Sequence, residues 1–125
     1  MHGISDRIQF LSYVNEAELA QLYRDASVFA FLSEYEGFGM TPLEALATDV
    51  PTLVGDTPVA REVYKDSVLY VPPKSIDGVA TGLVNLLTDA DLRNTLLRKA
   101  KPVLANLTWA RAAKHTLDVL TNAAS

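Results

Sequence analysis

Three short apolar runs, SVFAFL (27–32), VPTLV (50–54) and SVLYV (67–71), constrain this chain most. A near-continuous apolar strand is the mark of a parallel sheet covered on both faces. RIQFLSYV (7–14), apolar and partly aromatic, reads as a fourth strand at the front. Helical spacing fills the gaps between the runs, and strands alternating with helices form βαβ units with right-handed crossovers. The expected fold class is therefore α/β, a parallel sheet of about four strands with flanking helices.

The helices carry their own punctuation. Asn15 caps NEAELAQLYRDA with Glu18 at the capping-box position, and Leu19, Leu22, Tyr23 and Ala26 repeat on one face. TPLEALA (41–47) and VAREVY (59–64) read as short helices. Further on, Ile76, Val79, Ala80, Leu83 and Leu87 line one face of a helix weakened by Gly78 and Gly82. Leu92, Leu96 and Leu97 form the next stripe, which Pro102 kinks or ends. Thr108 caps a last helix, with Trp109, Ala113, Leu117 and Leu120 expected to face inward.

The chain of 125 residues suits one domain over 1–125. It contains no cysteine, which excludes disulfides and thiolate metal sites and is compatible with a reducing, cytoplasmic setting. MHGISDRIQF shows no basic region followed by a long apolar run, so no leader peptide is expected. Residues 1–62 carry ten acidic against three basic side chains, and residues 63–125 carry five against eight. No concentrated basic face accompanies the aromatics, which argues against nucleic acid as a partner. His2 and His115 stand alone, and no metal-ligand cluster is legible. Arg93, Arg98, Lys99 and Lys101 lie close together; a solvated helix face is the plainer reading, a peripheral contact with anionic lipid the sharper one.

EYEGFGMTPLEA (34–45) carries the chemistry. Glu36 and Glu44 enclose seven residues, and Gly37 and Gly39 bracket Phe38 ahead of a helix mouth. Free N–H groups and a partial positive charge at a helix N-terminus suit a phosphate. Glycines let a ligand approach the main chain closely. Pro42 fits the first turn of a helix. Carboxylates repel phosphate but accept hydrogen bonds from vicinal hydroxyls. A ligand with a diphosphate between two hydroxylated rings, a nucleotide sugar, would satisfy all of these groups. The same residues also read as a plain turn and an S/T-x-x-E capping box, with Glu44 reaching back to the Thr41 amide and Phe38 filling a core gap.

EYEGFGMTPLEALA resembles the E-x7-E signature of retaining glycosyltransferases of the GT-B fold, the large family 4 (group 1) type. RIQFLSYVNEAELAQLYRDASVFAFLSEYEGFG, VPTLVGDTPVAREVY, SVLYVPP and TWARAAKHTL resemble the flanking segments of that family, so the likeness covers nearly the whole chain. It implies the later part of a Rossmann-like, C-terminal donor-binding domain. It implies transfer of a sugar from a nucleotide diphosphate donor with retention at the anomeric carbon, and no metal or other cofactor. By the same resemblance, Glu36 contacts hydroxyls of the donor sugar as the catalytic carboxylate. Gly37, Phe38, Gly39, Met40 and Thr41 approach the sugar and diphosphate, and Glu44 binds the ribose. Asp49 stands where the family usually has glycine, at a left-handed position that Asp tolerates better than most residues. Ser12 and Leu32 replace a usual glycine and proline.

The family's donor domain normally begins with two more strands, a glycine-rich loop and an Arg…Lys pair for the diphosphate, and a whole acceptor domain precedes it. None of these is in the sequence, so a truncated domain is expected, completed by an N-terminal domain or a partner chain. The second reading is a non-catalytic module that packs with a partner or binds nucleotide weakly. A response-regulator-like switch would need an acidic cluster after the first strand, which RIQFLSYV does not supply.

Overall fold

A computed structural model describes residues 3–125, so His2 lies outside the described residues. Three parallel strands, β1 (Phe29–Phe31), β2 (Thr52–Gly55) and β3 (Leu69–Val71), lie side by side in the order β1-β2-β3. Phe31 pairs with Val54, and Val54 with Tyr70, which fixes the register. The described residues also form six α-helices: α1 (Glu16–Asp25), α2 (Met40–Ala47), α3 (Pro58–Tyr64), α4 (Ile76–Thr88), α5 (Ala90–Asn106) and α6 (Trp109–Ala124).

Strand alternation divides the core in two. Val54 faces Leu43 and Leu46 of α2, Val63 and Tyr64 of α3 and Ala100 and Val103 of α5. Leu53 and Val71 face the other way, onto Leu86 of α4 and Leu96 of α5. β2 is buried along its whole length, as its apolar run anticipates. β1 is an edge strand with Ala30 open to solvent.

Two helix starts follow caps read from the sequence, Asn15 and Thr108, and three more have caps that the reading did not name. Asn15 and Glu18 form a complete capping box, and Thr57, Ser75, Asp89 and Thr108 each accept an amide of the first turn. Asp49 takes the left-handed conformation expected just after α2, at φ 59°.

Three expectations are corrected, and one of the two readings of Pro102 is excluded. RIQFLSYV is not a strand: a 3-10 turn (Ser5–Arg7) leads into chain without a ladder partner among the described residues, with Phe10 92% and Tyr13 86% exposed. A strand is stabilised by its ladder, and this segment reaches neither free edge of the sheet. Among the described residues the sheet accordingly has three strands. Pro102 does not end α5, which runs on to Asn106 because burial of Ala100 and Val103 outweighs one lost hydrogen bond. α6 does not face inward: Trp109, Leu117 and Leu120 are exposed. Amphipathic spacing shows that a helix has an apolar face, not that its own chain covers it.

The apolar faces of α1 and α4 are also narrower than their spacing suggests. Tyr23 is the buried residue of α1, while Leu19 and Leu22 are exposed. On α4, Gly82 and Leu86 are buried, while Ile76 and Leu87 stand in solvent. No helix among the described residues is long and apolar enough to cross a membrane.

Candidate functional site

The stretch from Ser33 to Gly39 leaves the carboxyl end of β1 and enters α2, the position where open parallel sheets bind ligands. Gly39 is the N-cap residue of α2, at φ 85° and ψ 77°, and no side chain caps this helix. The helix begins at Met40, one residue before the Thr41 expected to cap it. Gly39, Met40 and Thr41 thus supply the first amides, and Pro42, with no N–H to leave unpaired, is buried beneath them.

Glu44 does not fold back onto Thr41. Its Oε2 accepts a 2.9 Å hydrogen bond from the hydroxyl of Tyr23 on α1, which also lies 3.5 Å from the Thr41 carbonyl. Burial first, and the Glu44 carboxylate second, push the Tyr23 phenol up to about 12. One oxygen of Glu44 is therefore held by the fold, and among the described residues Oε1 accepts from no donor. The capping-box reading fails here because a tyrosine from another element competes for the carboxylate.

On the other side, Tyr64 at the end of α3 donates a 2.7 Å hydrogen bond to the Gly39 carbonyl. This hydroxyl is buried, and burial, with the Glu36 carboxylate as the next cause, raises its pKa to about 12. A Cβ on Gly39 would run into the Tyr64 hydroxyl, so both φ and space demand glycine here. Glu36 is exposed and borders a small crevice with Phe38, Ser33, Thr57 and Tyr64. Phe38 is 42% exposed at the mouth and is not a core plug.

All seven residues singled out from the sequence, Glu36 to Thr41 and Glu44, therefore lie on one turn and one helix face. An open cleft of about 1110 Å³ continues from Gly37, Phe38 and Glu44 toward Trp109 and His115 on α6. Two further residues were missed. Tyr23 and Tyr64 hold Glu44 and Gly39 from 21 and 25 residues away. The available signal was their chemistry: a buried tyrosine needs a partner for its hydroxyl.

Two cations near the turn, Arg61 and Lys74, are committed elsewhere, while Lys65, Lys99 and Arg111 line the cleft. Arg61 makes a bidentate pair with Asp56 and lies 3.7 Å from the Tyr70 ring centroid. That pairing lowers the Asp56 pKa. Lys74 pairs with Glu34, an exposed bridge of small stabilising value. The basic cluster on α5 is divided: Arg93 donates to the carbonyls of Leu86 and Leu87 at the end of α4 and Lys99 borders the cleft. Among the described residues, no group of His, Asp and Glu is arranged to hold a metal ion.

The fold matches that of a solved sucrose-phosphate synthase from Thermosynechococcus elongatus, with a TM-score of 0.79 and 25% identity, over 98% of this chain and 32% of that one. The protein is thus an α/β domain of the Rossmann-like, GT-B kind. The sequence model of the glycosyl transferases group 1 family matches residues 1–103, and the chain belongs to that family. It is 34% identical over 120 residues to an uncharacterized glycosyltransferase of Methanocaldococcus jannaschii, covering 94% of this chain and 31% of the relative. It is 36% identical over 119 residues to a D-inositol 3-phosphate glycosyltransferase of Salinispora tropica, covering 94% and 25%. An O-antigen chain mannosyltransferase of Escherichia coli is 28% identical over 111 residues, covering 89% and 29%. The chain thus spans between a quarter and a third of these proteins.

Proposed function

We propose that the 125 residues form the donor-binding part of a glycosyltransferase that takes a sugar from a nucleotide diphosphate sugar with retention of anomeric configuration. The observation that carries this reading is the turn itself. Glu36 and Glu44 flank the uncapped N-terminus of α2, at the carboxyl end of β1, in a chain of the group 1 family.

Each group has a role in that reaction. As the bond from the anomeric carbon to the diphosphate oxygen breaks, negative charge grows on the leaving diphosphate and positive charge on the sugar ring. The amides of Gly39, Met40 and Thr41, with the positive end of α2, stabilise the diphosphate. Glu36 accepts hydrogen bonds from the sugar's hydroxyls and opposes the ring's positive charge. Gly37 and Phe38 border the sugar, and the free oxygen of Glu44 accepts from the ribose. No bound metal or other cofactor enters this scheme. The acceptor, and the cations that offset the diphosphate, are proposed to come from outside these residues.

The exposed apolar side chains of Phe10, Tyr13, Trp109 and Leu117 favour a corollary: the chain alone binds donor without turning it over. Calorimetry with UDP-, GDP- and ADP-sugars, alongside a donor-hydrolysis assay, tests both statements. Binding of one donor, weakened by Glu44→Ala, is the expected result. Absence of binding to all three contradicts the proposal, and turnover abolished by Glu36→Ala contradicts the corollary.

A further inference from the structure

The Tyr64 hydroxyl reaches the turn from the buried end of α3. It holds the carbonyl of Gly39 from inside the core. Because a trans peptide is planar, its C=O and N–H point in opposite directions. No cis peptide occurs among the described residues. With the Gly39 carbonyl drawn inward, the N–H of Met40 is directed outward, to the open side of the turn.

Turning this peptide changes the ψ of Gly39 and the φ of Met40. Gly39, with no Cβ, resists the turn little, and Met40 resists it through its helical φ. Rotated by half a turn, the same peptide would present a carbonyl oxygen where an amide is needed and would repel an anion. No side chain caps α2, so the Tyr64 hydroxyl is the side-chain group that holds this carbonyl, alongside the helical backbone of Met40.

Resting on the donor-site reading above, we infer that Tyr64 is a positioning residue for the diphosphate: its hydroxyl locks the Gly39–Met40 peptide with the N–H toward the ligand. The lock acts on the phosphate-facing amide and not on Glu44, which Tyr23 holds independently. Loss of the Tyr64 hydroxyl therefore weakens binding of a nucleoside diphosphate and spares binding of the nucleoside. A role in stability alone would weaken both alike.

The test compares uridine, guanosine and adenosine with their 5′-diphosphates on the 125-residue chain and on Tyr64→Phe, which keeps the ring. A charge-assisted hydrogen bond to an amide sets the scale, so diphosphate affinity falls about tenfold while nucleoside affinity is unchanged. In the unmutated chain, the Met40 amide resonance moves with the diphosphate and not with the nucleoside, a readout that does not depend on how the variant folds. Equal weakening of both ligands, or of neither, overturns the lock. So does a Met40 amide indifferent to the diphosphate while the diphosphate binds. An unmutated chain that binds no diphosphate removes the donor-site reading, and the lock with it.

Discussion

Replacing Gly39 with alanine acts on two terms that the structure separates. The first is backbone strain: at φ 85° an L-residue with a Cβ costs about 1–2 kcal/mol. The second is the collision of that Cβ with the Tyr64 hydroxyl. The hydroxyl must swing away, breaking its 2.7 Å bond to the Gly39 carbonyl and costing about 1–3 kcal/mol for the buried groups left unpaired. Together the loss is about 2–5 kcal/mol, against a total stability of order 10 kcal/mol for a domain of this size. In Tyr64→Phe the hydroxyl is already gone, and the next atom near the added Cβ is a ring carbon at an ordinary 3.4 Å. Gly39→Ala then adds only the strain term. The double variant is thus hardly less stable than Gly39→Ala alone, and the coupling between the two sites is about 1–3 kcal/mol. Urea unfolding followed by far-ultraviolet circular dichroism measures all four corners of the cycle. Additivity within about 0.5 kcal/mol would refute the contact on which this reasoning rests.

Gly82→Ala lowers stability despite alanine's better helix propensity, because the added Cβ would come 2.5 Å from Leu53 Cδ1 and 3.0 Å from Val71 Cγ1; a higher melting temperature would contradict that packing. Leu86→Ala costs about 2–5 kcal/mol in the core, whereas Leu117→Ser on α6 shifts urea unfolding by about 0.5 kcal/mol or less; comparable losses would mean that α6 is packed. The phenols of Tyr23, Tyr64 and Tyr70 are raised from 10.0 to about 12, chiefly by burial. The folded state therefore keeps these protons longer than the unfolded state. Their contribution to stability is full below about pH 10 and is lost as pH rises from 10 to 12. Ionisation of these three phenols should appear together with unfolding in that interval, and their ionisation near pH 10 with the fold intact would contradict the burial.

Local pattern accounts for the elements that were legible in the sequence. The cores of β1, β2 and β3 fall within SVFAFL, VPTLV and SVLYV, and α2 to α5 fall on the segments read as helical. The departures share one physical origin, contacts that no local window contains. RIQFLSYV has strand composition, yet a strand needs a neighbour, and neither sheet edge reaches it. α6 has an amphipathic stripe that its own chain leaves uncovered. Thr41 and Glu44 stand at capping-box spacing, yet Tyr23 claims the carboxylate and Gly39 takes the cap. Gly82 reads as a weak point of α4 but lies where a Cβ would meet Leu53 of β2 and Val71 of β3. The turn from Glu36 to Glu44 was legible because its residues are contiguous, and the two tyrosines that brace it were not.

The central claim is that this turn holds the nucleotide diphosphate. Amide chemical shifts of the 15N-labelled chain, titrated with UDP, GDP and ADP, test it most directly. One of the three nucleotides should move Gly37, Gly39, Met40 and Thr41 most, and Glu44→Ala should weaken the response. Shifts centred instead on α5 and α6, or a response indifferent to Glu44→Ala, would contradict it.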